Sequence, residues 1–290
     1  MADTVQAPAQ STFARILREP RALIGGLFIL FLIFCALFAP LIAPHDPLEQ
    51  DLLLEKIPPA WQAGSDPAYV LGTDGLGRDL LSRLIHAARV SMIVAFVAGI
   101  LACLLGTTLG LLAGFYGRWV DTLISRLVDI WMSFPPVLLS ILLVAVMGSG
   151  LHSVIVAIVV IDWTRFCRVV RTETLAQTKL EYVDSAVTLG MPRLRILFRE
   201  ILPNVFPVIL VLLSLEMGIA VIVEAILSFV GLSVSTDTPT WGGMIAEGRQ
   251  VIYQAWWVLV FPLAALFLTV LAFNQLGDGL RNALDPALRR

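Results

Sequence analysis

Lysine is almost missing from this 290-residue chain: Lys56 and Lys179 are the only two, and neither closes a glycine-rich turn. A phosphate-cradling P-loop needs Gly-Lys-Ser/Thr, so the chain is not expected to bind ATP or any other cofactor in such a loop. Cysteine is equally sparse. Cys35, Cys103 and Cys167 stand singly in apolar or near-membrane runs, a pattern that supports neither a disulfide framework nor a thiolate metal site. His45, His86 and His152 lie on separate segments, without partners at zinc-ligand spacing or in a nucleophile-base arrangement. Gly72-Thr73-Asp74-Gly75-Leu76-Gly77 follows no strand, so it reads as turn chemistry rather than a dinucleotide loop. No catalytic residue, metal ligand or cofactor site is expected. A net charge of −2 also argues against nucleic acid as a partner.

What the chain has in excess is apolar surface. With 58% hydrophobic and only 14% charged residues, it carries more than one soluble core can bury, and the lipid bilayer becomes its solvent. An all-α integral membrane protein follows. A crossing needs about 20 mainly apolar residues, and that length predicts six transmembrane helices near 22–43, 89–114, 119–147, 151–170, 205–231 and 255–280. The first is too long for a signal-peptide core and lacks a clear cleavage site, so it reads as an uncleaved helix. Pro135-Pro136 should kink the third, and Gly148-Ser149-Gly150 should turn the chain between the third and fourth.

Charge placement orients the bundle. Most arginines fall in segments 1–21, 171–204 and 281–290, which places both termini and the 173–204 hairpin in the cytoplasm. The 44–88 segment, rich in Asp and Glu, and the 232–254 loop then lie outside. The domain plan is a tail to residue 21, a first helix at 22–43, an external loop with an amphipathic helix at 44–88, a core at 89–281 and a tail from 282.

Three carboxylates sit inside predicted spans: Asp162, Glu216 and Glu224. Each costs roughly 2.5–3.5 kcal/mol at the bilayer centre, so all three should face the bundle interior. Asp162 and Arg165 are spaced to meet on one helical face, either as a structural pair or beside a polar cavity. Glu216 and Glu224 can line one inner surface. They either hydrogen-bond between helices or serve a translocation path or its gate.

Between Thr172 and Asn204, Tyr182, Val183, Ala186, Val187 and Leu189 recur at helical spacing beside Glu181 and Asp184. Gly190 ends this short amphipathic helix, Pro192 opens a second one, and Pro203-Asn204 should break that second helix before the fifth span. So short a helix is marginal alone and must dock on something.

Its spacing resembles the EAA motif of ATP-binding-cassette (ABC) importer permeases. Asp184-Ser185-Ala186 occupies the Glu-Ala-Ala slots, Gly190 the glycine and Leu202-Pro203 the Leu-Pro pair, while Glu200 stands where isoleucine is usual and Ile201 follows it. Leu71–Leu84, Pro239–Met244 with Glu247-Gly248-Arg249, Trp256-Trp257 and Gly277–Pro286 look like the dipeptide/oligopeptide/nickel branch, and Pro58-Pro59-Ala60-Trp61-Gln62 is most similar to its dipeptide permeases.

This resemblance implies a type I ABC-importer permease fold in the bacterial inner membrane. It implies a homologous second permease subunit, two ATPase subunits that bind ATP and Mg, and an external substrate-binding protein. Glu181, Asp184, Ser185, Ala186, Gly190, Leu202 and Pro203 would couple to an ATPase; Asp74, Arg78, Trp241 and Arg249 would meet the external receptor. The tryptophans also fit an interfacial aromatic belt. Dipeptides are the implied cargo, with oligopeptides, glutathione-like compounds, opines and nickel chelates as alternatives. A secondary transporter would show internal hydropathy repeats, and none is visible.

Overall fold

The computed structural model describes residues 15–235 and 237–284. The expected tail segments 1–14 and 285–290, with Asp285-Pro286, Arg289 and Arg290, lie outside the described residues.

The first helix, α1 (Pro20–Ile42), starts on Pro20 and ends where Ala43 turns extended before Pro44. The segment from residue 44 then runs to Asp79, whose carboxylate accepts from the amide of Ser82 at 2.8 Å and caps α2 (Leu80–Tyr116). This helix runs without a break through residue 89, where the second span was expected to begin. Gly106, Gly110 and Gly114 recur every fourth residue along it. A Cβ on Gly106 would fall 2.3 Å from the carbonyl oxygen of Trp163, so glycine lets α5 (Leu151–Gln177) pack backbone to backbone.

Between them the expected third span is two helices, α3 (Arg118–Met132) and α4 (Pro136–Met147), bent by 86° across Pro135-Pro136. Residues 148–150 turn the chain into α5, as expected. Beyond α5 come the short α6 (Glu181–Thr188), the long α7 (Arg193–Phe229), α8 (Trp241–Val251) and α9 (Trp257–Leu284).

Length and composition qualify α1, α2, α7 and α9 as crossings, and the bent α3–α4 pair as a fifth. The expected fourth span is the exception. At 27 residues α5 is long enough, at about 1.5 Å per residue, but Asp162, Arg165, Arg168 and Arg171 exceed the apolar limit.

One boundary differs from expectation. Pro203-Asn204 does not break the chain, because α7 is helical from Arg193 through Phe229. A π-helical stretch, Ile196–Ile201, precedes Pro203, which then sits in the first turn of the following α-helical run, where its missing N–H costs little.

Candidate functional site

The hairpin at 173–204 is built on a small apolar anchor. Val183 and Ala186 of α6 are buried in one cluster with Ile196, Leu197, Ile201 and Val205 of α7, Phe166 and Val170 of α5, and Leu111 of α2. Helical spacing turns the remaining residues outward. Glu181, Asp184 and Ser185 are exposed, Val187 is 60% exposed and Leu189 81%. The expected apolar face is therefore divided: part docks on the chain's own bundle, and part is left open.

Gly190 ends α6 at φ +73°, a left-handed conformation, with nothing within 4 Å of a would-be Cβ. The constraint is conformational rather than steric. Leu202 is half-buried and Pro203 exposed at the hairpin's far end.

A π-turn holds one more residue than an α-turn, and here Ile201 is fully buried while Glu200 stays at the surface edge. Asn204 donates to the Glu200 carbonyl at 2.6 Å, and Tyr182 donates to Gln177 at 2.8 Å. Burial raises the Tyr182 phenol above its ordinary value, partly opposed by a hydrogen bond from Asn204, so it remains a donor at neutral pH.

Inside the membrane the expected Asp162–Arg165 pairing is replaced. Arg165 reaches across to α7 and donates from one nitrogen to both oxygens of Glu216, at 3.0 and 3.4 Å. Helix packing decides this, since Glu216 is almost fully buried against α5 and gains a charged partner there. Asp162 is 4% exposed, one turn from Arg165. Glu224 is fully buried and lines no open surface in this structure: its Oε1 accepts from Ser228 at 2.5 Å and Ser233 at 3.3 Å. Ser233 in turn accepts the Gly150 amide at 2.8 Å, tying the outer end of α7 to the turn before α5.

The external residues need the largest correction. Asp74 and Arg78, expected to meet a receptor, are themselves buried, 1% and 7% exposed, in an ionic cluster whose other carboxylate, Glu247, is 43% exposed. Arg78 donates to Asp74 at 2.7 Å and to Glu247 of α8 at 2.9 Å; Arg83 bridges the same two carboxylates. Trp241 is buried and donates to the Leu84 carbonyl at 3.2 Å, while Trp257 donates to the Thr73 carbonyl at 3.1 Å. Trp241 thereby pins α8 to α2, and Trp257 pins α9 to the segment before α2. Arg249 alone of the four expected contacts is exposed, its guanidinium 5.3 Å from the centre of the Phe229 ring. Sequence reading assigned no role to Arg83 or Glu247 as ion-pair partners, because the two are 164 positions apart. No group of three or more His, Cys, Asp or Glu poised to hold a metal occurs among the described residues.

A family model described as the binding-protein-dependent transport system inner membrane component matches residues 106–290. The chain belongs to this family. A second model, the N-terminal transmembrane domain of oligopeptide transport permease C, matches residues 7–59. The permease is 41% identical over 285 residues to the di/tripeptide transport system permease protein DppC of Pseudomonas aeruginosa, covering 98% of this chain and 93% of that protein. It is 42% identical over 289 residues to the glutathione transport system permease protein GsiD of Pectobacterium atrosepticum, covering 99% and 93%. Among solved structures, inward-facing MetNI methionine ABC transporter is similar with a TM-score of 0.59 at 19% identity, covering 70% of this chain and 97% of the other. That likeness supports the type I importer fold of this multi-pass inner-membrane protein.

Proposed function

We propose that this permease forms half of the translocation pathway of an ATP-driven importer for dipeptides or related small peptides. A homologous permease chain supplies the other half, two separate ATPase subunits bind and hydrolyse ATP with Mg, and an external binding protein delivers the cargo. Both termini lie in the cytoplasm. The relatives named for di/tripeptide and glutathione transport support a small-peptide cargo, since glutathione is itself a modified tripeptide.

The observation that carries the coupling role is the division of α6. Val183 and Ala186 root it in the bundle, while Asp184, Ser185, Val187 and Leu189 form an unpaired polar and apolar face. A partner groove that buries Val187 and Leu189 would gain apolar contact and meet Glu181 and Asp184 at its rim. Gly190 and the Leu202-Pro203 end hold the hairpin as a stiff unit, so ATPase motion is passed to α5 and α7 rather than absorbed. The bundle then alternates between inward-facing and outward-facing states.

Asp162 and Glu216, with Arg165 between them, contribute to the polar interior of the pathway, whereas Glu224 fixes the outer ends of the helices. At the external face, Arg249 meets the binding protein, and the Asp74–Arg78 cluster and Trp241 hold the platform from which it projects. Reconstituting the permease with its partner subunits and measuring binding-protein-dependent, ATP-driven peptide uptake tests this reading. Uptake that needs the binding protein and ATP is expected. Assembly without any ATPase subunit would overturn it.

A further inference from the structure

The break between α3 and α4 lies where a membrane helix should have none. α3 has 15 residues and α4 has 12, so at about 1.5 Å per residue neither covers the roughly 30 Å hydrocarbon core. Its depth follows from packing. Val128 and Trp131 of α3 join Trp163 and Cys167 of α5 in one cluster, while Val144 of α4 joins Val154, Ala157 and Ile158 in another. The break is thus level with residues 158–163, about 10–18 Å along α5 from Leu151, and its two arms together are apolar enough to make one broken membrane span.

At that depth Ser133, Pro135 and Pro136 are exposed, Met132 is 42% exposed and Phe134 51%. The carbonyls of Trp131 and Met132 would ordinarily receive bonds from the amides four residues on. Those residues are Pro135 and Pro136, which have none. Trp131 recovers a long contact from the Phe134 amide at 3.4 Å, and the Ser133 hydroxyl turns back to the Ile130 carbonyl at 2.6 Å. Irregular backbone at membrane depth is tolerated only where protein buries it or where it lines water. This chain does not bury it. Asp162 and the Arg165–Glu216 pair lie near the same level, with Arg165 about one-third exposed.

We propose that Ser133–Pro136 is a water-lined wall of the translocation pathway and that the Phe134 ring is its constriction. Ser133 and the Met132 carbonyl offer a donor and an acceptor to the amide groups of passing peptide, while Phe134 closes the channel between deliveries. The inference rests on the permease reading and names part of its pathway.

Thiol accessibility in the reconstituted complex tests it. The native cysteines Cys35, Cys103 and Cys167 are all buried and give a low background. Ser133→Cys and Phe134→Cys should react with a water-soluble methanethiosulfonate at least tenfold faster than Leu37→Cys on the outward face of α1, and transported peptide should slow that reaction. Equal rates at the three positions would overturn the inference and show that lipid or the second permease covers the break. Phe134→Ala, with native cysteines, should raise cargo-independent ATP hydrolysis or solute leak at least threefold; unchanged values of both would overturn the constriction. Labelling is read without transport. Absence of import by the unmodified complex strikes the permease reading instead.

Discussion

The 173–204 hairpin and the 44–79 segment before α2 are both polar interruptions between apolar helices, yet they treat charge in opposite ways. The hairpin roots two small apolar residues and leaves Glu181, Asp184, Arg193 and Arg195 in the open. The 44–79 segment folds Asp74 and Arg78 inward, where Arg78 and Arg83 of α2 bridge Asp74 to Glu247. A region that holds itself together spends its charges internally. A region proposed to be gripped keeps them available, so exposure rather than charge content separates the proposed lever from the proposed platform.

Breaking the external lock should have the largest effect. Asp74→Ala leaves two buried guanidiniums facing only Glu247, and removing one partner of a buried ionic group costs about 3–5 kcal/mol. The purified permease should show a large fall in its unfolding midpoint. A shift no greater than that of a surface substitution would mean that the cluster is solvated and the contrast false.

The hairpin should respond in function rather than stability. Leu189→Asp alters a side chain that is 81% exposed, so folding should change by no more than about 0.5 kcal/mol. Association with the ATPase subunits should fall roughly thirtyfold, as for the loss of an interface anchor worth about 2 kcal/mol. Ala186→Asp, placed in the anchor, should instead lower both. If Leu189→Asp co-purifies with ATPase as well as the parent does, the exposed face of α6 is not the gripped surface.

Gly190 sharpens the comparison further. Space around it is open, so only its φ of +73° resists substitution. Gly190→Val should cost about 1–2 kcal/mol and reduce transport per ATP hydrolysed, whereas Gly190→Asn should retain most coupling because asparagine visits this region readily. Equal loss in the two variants would point to the missing side chain rather than to the backbone.

Legibility followed the range of the interaction. Gly190 as a stop and the turn at 148–150 depend on neighbours within a few residues, and the structure has each where sequence reasoning expected it. Arg165 paired with Glu216 rather than Asp162 because a carboxylate 51 positions away on α7 lies closer than the one a turn before it. Asp74 and Arg78 read as exposed receptor contacts because Glu247, 169 positions from Arg78, was not recognisable as their partner. Pro203 read as a break because a π-turn, which relieves it, has no sequence signature comparable to a cap. The 86° bend was visible as a proline pair, but its exposure at membrane depth needed the packing of α5.

The smallest expected effect lies at Arg249, the one predicted receptor contact that remains outside the lock. Its guanidinium rests over Phe229 on the outer rim, free of the Asp74–Arg83 cluster. Exposed charge pairs contribute only about 0.2–1 kcal/mol and are screened by salt. Arg249→Ala should therefore leave the unfolding midpoint unchanged and slow capture of the binding protein by a few-fold at most, an effect that vanishes as ionic strength rises. The sign of the salt dependence is decisive: a loss that persists in high salt would mean that Arg249 acts through packing on Phe229, and would move it from the surface that is met to the platform that holds itself.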